Sequence, residues 1–197
     1  MRLKKGIKTL IVLVGEPLAG KGYTYSRLAA RVGKKNITHL CTGDIIREIL
    51  GILNLPLERH YCDKLVMTLA KTFGKGFLAR AIEAKILEAS TKFVVFDCMR
   101  TLDDEKMVVR LRRNKKLRVV SLYITASPDK RFERLQARQR HGEHGMSRRR
   151  FNKNEKLPTV AMTLKIGLGA DEIIENNGTP KEFKDKVLAF CNKYMAA

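Results

Sequence analysis

Aliphatic residues come in short unbroken runs at Thr9–Val14, Ile37–Leu40, Phe93–Phe96, Val119–Ile124 and Ile173–Ile174, and the stretches between them repeat their apolar residues at helical spacing. Strands that alternate with helices in this way build a parallel sheet covered on both faces. The expected fold class is therefore α/β, with a five-stranded parallel sheet. Leu65, Val66, Leu69 and Phe73 outline one helical face, and Leu78, Ala81, Ile82, Ile86 and Ala89 a second, with Gly74-Lys75-Gly76 as the break between them. Thr101 with Asp104 three residues on, and Ser127-Pro128, each open a further helix. Thr179-Pro180-Lys181-Glu182 starts the last one, with Phe183, Val187, Phe190, Cys191 and Tyr194 on its buried side.

One segment breaks the pattern. Between Arg138 and Lys156 the chain carries Arg138, Arg140, Arg148, Arg149, Arg150, Lys153 and Lys156, and hardly any apolar residue beyond Met146 and Phe151. A segment so poor in apolar side chains is expected to be a mobile surface arm. Its two readings are a solvated loop and a basic lid over phosphates.

The first strand runs straight into Gly15-Glu16-Pro17-Leu18-Ala19-Gly20-Lys21-Gly22, followed by Tyr23 and Thr24 at the start of a helix. A buried strand, a glycine loop and a helix N-terminus in that order make a phosphate site. The glycines let backbone N–H groups turn inward, the helix end is positive, and the lysine reaches the β- and γ-phosphates. The fold expected from this junction is that of the P-loop NTPases. Further along, Thr42-Gly43-Asp44-Ile45-Ile46-Arg47 turns from the second strand into a helix. Phe93-Val94-Val95-Phe96-Asp97 ends an aliphatic strand in a carboxylate, a usual way to hold Mg²⁺ or its waters beside such a loop, and Arg100 follows three residues later.

Length and composition narrow the reading. A chain of 197 residues buries about 70% of its unfolded surface as a single domain. Cys41, Cys62, Cys98 and Cys191 form no C-x-x-C pair, so reduced core thiols and a cytoplasmic location are expected. The basic start followed by apolar residues looks superficially like a secretory leader, but the apolar run ends in the phosphate loop and not at a cleavage site. Nothing approaches the roughly 18 apolar residues of a membrane span. Forty Lys plus Arg against 20 Asp plus Glu leave a net charge of +20, which favours polyanionic partners, nucleotides or nucleic acid, and exceeds what an active site needs.

With these motifs in place, the chain resembles the nucleoside monophosphate kinases, the adenylate-kinase-like branch of the P-loop fold. Gly15 to Gly22 is similar to that family's G-x-P-G-x-G-K-G-T, His39 to Arg47 to its S-T-G-D-x-x-R, and Phe96 to Thr101 to its D-G-x-P-R-T. Ala170 to Thr179 is similar to the closing A-D-x-x-I-x-N-x-G-T of dephospho-coenzyme A kinases and small archaeal kinases. The resemblance implies one kinase domain over residues 1–197, with a core of 9–43, 91–137 and 170–197, an acceptor-binding insert near 44–90 and a lid near 138–156. It implies ATP and Mg²⁺ as cofactors, held by Gly15, Glu16, Pro17, Leu18, Ala19, Gly20, Lys21, Gly22, Tyr23 and Thr24, with Asp97 for the metal. Lys21 would neutralise the donor phosphates, and Arg47 and Arg100 would grip the acceptor phosphate beside Thr42, Gly43 and Asp44. Arg134 would stack on the donor base, and Arg138 would stabilise the phosphoryl group in flight.

The departures are specific. Leu18 stands where the family has glycine, Tyr23 where it has threonine, and the Asp97–Arg100 motif is one residue short and lacks its proline. Asp103 or Asp104 stands near the position of the glutamine that reads adenine, either to read a guanine or cytosine edge or only to cap the helix. The histidines, including the pair His141 and His144, have no role in phosphoryl transfer. The expected activity is ATP-dependent phosphoryl transfer to a nucleoside monophosphate or a similar small phosphate acceptor. The alternatives are a dephospho-coenzyme A kinase, a polynucleotide 5′-kinase, and a nucleic-acid-associated P-loop ATPase acting as a switch. The expected partners are a nucleotide donor and a small phosphate-bearing acceptor, with non-specific nucleic acid binding allowed by the charge and no membrane.

Overall fold

The computed structural model describes residues 7–97, 99–138 and 145–195. Five parallel strands lie in the order β2-β3-β1-β4-β5, with β1 at Lys8–Val14, β2 at Ile37–Cys41, β3 at Phe93–Asp97, β4 at Leu117–Thr125 and β5 at Glu172–Glu175. All five coincide with the aliphatic runs of the sequence. The reason is visible in β1: Leu10, Ile11, Val12 and Leu13 are wholly buried, so each position is apolar whichever face it points to.

Alternate residues of β1 feed two separate cores. Ile11 and Leu13 pack with Leu28 and Ala29 of α1 (Lys21–Val32) and with Phe183, Val187, Phe190 and Cys191 of α9 (Pro180–Tyr194). Leu10, Val12 and Val14 pack on the other face. Their partners there are Ala79, Ile82 and Ile86 of α4 (Phe77–Glu88), Met107, Val108 and Leu111 of α5 (Leu102–Arg112), and Ile166 of α8 (Pro158–Leu168). Each such side chain contributes about 1.5–3 kcal/mol by leaving water. The result is a three-layer sandwich, and the strand-order reversal at β1 sets its binding crevice at the carboxyl ends of β1 and β3.

The caps behave as the sequence implies. Thr101 and Asp104, and Thr179 and Glu182, each form a reciprocal capping box, and Ser127 caps α6 (Pro128–Ala137). Asp104 is 4% exposed and accepts from the backbone N–H groups of Arg100 and Thr101, so of its two readings the structure bears out the cap.

The face outlined by Leu65, Val66, Leu69 and Phe73 lies on α3 (Arg59–Phe73), which packs on α2 (Thr42–Ile52) and α4: Leu65, Val66 and Leu69 are half-buried and Phe73 is 59% exposed. One expectation is corrected. The basic arm is not devoid of packing. Residues Arg148–Glu155 form a helix, α7, whose Phe151 is 4% exposed, edge-on to Phe132 and beneath the Arg131 guanidinium. One buried aromatic ring and two ion pairs to α6, Glu155 with Arg131 and Arg148 with Asp129, give this short helix an anchor that an average of composition conceals. Helix α8, absent from the sequence reading, sits on β4 through Gly167, where any Cβ would meet the Tyr123 ring at 2.5 Å. Arg140, His141 and His144 lie outside the described residues.

Candidate functional site

The loop after β1 is shaped by close approach. A Cβ on Gly15 would lie 2.4 Å from the Ile124 carbonyl of β4, and one on Gly20, whose φ is +123°, would lie 2.6 Å from the Asn176 side-chain nitrogen. Leu18, in the place of a family glycine, keeps the left-handed backbone that glycine would favour, at φ +68°. A leucine pays about 1–2 kcal/mol for that conformation. Helix α1 begins at Lys21, so its first N–H groups point at the loop.

Lys21 is 9% exposed and donates Nζ to the carbonyl oxygens of Gly15 at 2.7 Å and Glu16 at 3.2 Å. Its ammonium thus lies across the loop. Ala19 is wholly buried and Pro17 is exposed. The Glu16 side chain turns beneath the loop, 5% exposed, where Oε1 accepts from the Tyr123 hydroxyl and Oε2 has no hydrogen-bond partner among the described residues. Burial first, and the Glu16 bond second, push the Tyr123 phenol up to about 12.

The hydroxyl that a P-loop helix can offer a metal is placed differently here. Gly22 has no side chain, Tyr23 faces outward at 41% exposure with its ring 5.5 Å from Phe183, and Thr24 is wholly buried with its hydroxyl on the Gly20 carbonyl at 3.2 Å. Asp97 is left as the carboxylate beside the loop, paired in register with Leu13 of β1 and Cys41 of β2. His39 faces it, Nε2 lying 3.8 Å from Asp97 Oδ2. Asp97 raises the imidazole pKa against the opposing effect of burial. Sequence reasoning passed over His39, although its place two residues before the end of β2 was a usable signal.

The first turn of α2 stands next to Asp97. Thr42 and Gly43 are half-buried, Asp44 is exposed, and Arg47 folds back over Gly43 to donate to Asp44 Oδ1 at 2.6 Å. That bond raises the Arg47 pKa above its ordinary value. Arg100, half-buried, follows Asp97 at the entry to α5.

Arg134 of α6 reaches the loop from the far side. Its guanidinium donates to the carbonyls of Leu18 at 3.1 Å, Ala19 at 3.4 Å and Asn176 at 2.7 Å, and burial lowers its pKa. Asn176, 6% exposed, donates Nδ2 to the Ala19 carbonyl at 2.7 Å and its backbone N–H to Thr125 at 2.8 Å. It is the asparagine of the A-D-x-x-I-x-N-x-G-T stretch, to which the sequence reading gave no task. The structure gives it the support of the loop. Arg138 is the C-cap residue of α6 and is exposed.

The loop thus offers a lysine, a helix N-terminus and two glycine-dependent approaches to a polyphosphate, and Asp97 to a metal with room for phosphate and water oxygens, which is what Mg²⁺ accepts. Both groups fit these residues. Strand order and site together define a P-loop domain of the kinase-like kind. Residues 14–150 match the AAA_17 family, described as an AAA domain, and the chain belongs to that family. It is 26% identical over 194 residues to a UPF0200 protein of Thermococcus onnurineus (strain NA1), covering 95% of this chain and 98% of the relative. Among solved structures it is similar to TT1252 from Thermus thermophilus, with TM-score 0.64, 15% identity, 98% of this chain and 100% of that one. It is also similar to the shikimate kinase from Acinetobacter baumannii in complex with shikimate, with TM-score 0.56, 11% identity, 96% of this chain and 95% of that one.

Proposed function

We propose that this chain transfers the γ-phosphoryl group of ATP to a small phosphate-bearing acceptor of the nucleoside monophosphate kind. The observation that carries this reading is the convergence of three strand ends: Lys21 after β1, Asp97 at the end of β3, and the Thr42 turn after β2, whose Cys41 pairs with Asp97. Donor and acceptor sites side by side are what in-line transfer needs. The bond from the γ-phosphorus to its bridging oxygen breaks, an acceptor phosphate oxygen takes its place, and ADP leaves.

No covalent nucleophile is required, because positioning and charge neutralisation supply the rate. Lys21 moves from its loop carbonyls to the donor phosphates. Arg47 and Arg100 hold the acceptor phosphate, with residues 44–90 as its wall. Asp97 would hold Mg²⁺, directly or through water, and such an ion would supply charge neutralisation at the phosphate oxygens. Arg134, fastened to the loop carbonyls, keeps one face of its guanidinium for the donor base. Arg138, at the end of α6, is the residue this reading brings to the transferred phosphoryl group.

The experiment is ADP release measured with Mg·ATP against a panel of nucleoside monophosphates, dephospho-coenzyme A, a 5′-hydroxyl oligonucleotide and shikimate. One phosphate-bearing small acceptor is expected to raise turnover by about 10² or more over ATP alone, the scale of positioned catalysis. Turnover indifferent to every acceptor overturns the reading in favour of an ATPase.

A further inference from the structure

A parallel sheet has an entry edge and an exit edge, and the phosphate loop occupies the exit edge. The entry edge is basic at three of its strands, β2, β3 and β4. Lys34 and Lys35 precede β2, Lys92 precedes β3, and Arg113, Lys115 and Lys116 precede β4, with Arg118 one residue inside it. All seven are exposed, and none takes part in the ion pairs found among the described residues. The carboxylates that open β5 are engaged elsewhere: Asp171 with Arg112, and Glu172 with Lys193 and Tyr194.

Between the starts of β1, β3 and β4 lies an open cleft of about 480 Å³, and no carboxylate is among its lining residues. Lys92, Lys115 and Arg118 line it, with Phe93 and Tyr194. The Arg118 guanidinium lies 5.4 Å from the Tyr194 ring centroid and the Lys92 ammonium 5.5 Å from that of Phe93, so both cations rest on aromatic faces.

We infer that this entry edge is a docking surface for nucleic acid, gripped through its phosphodiester backbone. These strands, with β1 between β3 and β4, stand at about 4.8 Å spacing and spread the cations over a width that a run of successive phosphates can follow. Flexible lysines contact phosphates without reading bases, so binding is insensitive to sequence. An anionic membrane would need apolar residues to insert beside the charges, and Ile7 is the exposed aliphatic residue lining the cleft. The surface uses none of the residues assigned to phosphoryl transfer and stands whether or not that assignment does.

The test is fluorescence anisotropy with a labelled single-stranded RNA of roughly 20 nucleotides, longer than one binding site of this kind needs. Salt is varied from about 50 to 200 mM. The triple variant Lys115→Glu, Lys116→Glu, Arg118→Glu is compared with Lys181→Glu, Lys184→Glu, Lys186→Glu on α9, which changes the net charge equally. The entry-edge variant is expected to bind about tenfold or more weakly and to lose about 2 from the salt slope, some 0.7 per phosphate contact. The α9 variant should stay within roughly threefold of wild type, and ATP should leave RNA bound because the two sites lie on opposite edges.

Equal loss in both variants overturns the proposal, since the charge then acts diffusely. So does displacement of RNA by ATP, absence of binding by the wild-type chain at low salt, or preference for phosphatidylserine vesicles over RNA. Should the first variant melt below wild type, Lys34→Gln, Lys35→Gln, Lys92→Gln replaces it with the same expected loss.

Discussion

Glu155 of α7 receives both terminal nitrogens of Arg131 in α6, while the Arg131 Nε donates to the Ala126 carbonyl at 2.9 Å. One turn along the same helix, Arg134 is fastened to the loop carbonyls. Helix α6 therefore ties the basic helix on one side to the phosphate loop on the other. Arg131 is 4% exposed, so removal of its partner leaves a charge in poor solvent. Glu155→Ala is expected to cost about 3 kcal/mol, the low end for breaking a buried pair, read as a shift in the urea midpoint. Cleavage by trypsin within residues 148–155 should rise with it. A change below about 0.5 kcal/mol would mean that α7 is not held by this pair.

Lys21→Ala separates chemistry from folding. Its bonds to the Gly15 and Glu16 carbonyls are buried, so unfolding should move by about 1–3 kcal/mol, small beside the loss of turnover. Turnover with the best acceptor should fall by about 10² to 10³ or more, as for the loss of one preorganised cation. Near-normal turnover would refute the phosphate site.

Replacing Arg100 by alanine should raise the KM for the acceptor by roughly tenfold or more, about 1.4 kcal/mol of binding, with the KM for ATP nearly unchanged. Steady-state kinetics in both substrates decides it. Equal loss for the two would place Arg100 on the donor side or make its effect structural.

The Tyr123 phenol provides the pH test. Its folded pKa, about 12, lies above the ordinary value near 10. The stability it contributes is fully present below about pH 10 and is lost as pH rises through 12, because the unfolded chain gives up its proton first. Tyr123→Phe should therefore show a shallower decline in stability over that window. At neutral pH the same variant should be less stable by about 1–3 kcal/mol, since the buried Glu16 carboxylate loses its donor. Parallel pH profiles for the two proteins would show that the hydroxyl is not shielded.

How much was legible follows from how local each cause is. The central strands β1 and β3 were readable because burial on both faces makes nearly every position apolar, and no neighbour has to be known to see it; the edge strands β2 and β5 were legible only as short aliphatic runs, being partly exposed. The phosphate loop was readable for the same reason: the spacing from Gly15 to Lys21 is dictated by backbone turns within the loop itself. Asp97 and the turn at Thr42 were placed correctly at strand ends, and the parallel pairing of β2 with β3 then brought them together. The capping boxes at Thr101 and Thr179 are likewise complete within four residues.

What tertiary structure alone decided are the partnerships across the chain. Glu16 meets Tyr123 from 107 residues away, Arg134 meets Leu18 from 116, and Asn176 meets Ala19 from 157. No local period encodes such contacts, since each arises from which strand lies beside which. Helix α7 looked unpacked because one buried Phe151 and two ion pairs do not alter the average of a basic segment, and the amphipathic spacing of α3 does not say how deeply its apolar face is buried. The basic entry edge belongs to the same class. Its lysines are scattered through the sequence before separate strands, and only the common direction of those strands gathers them on one side of the sheet.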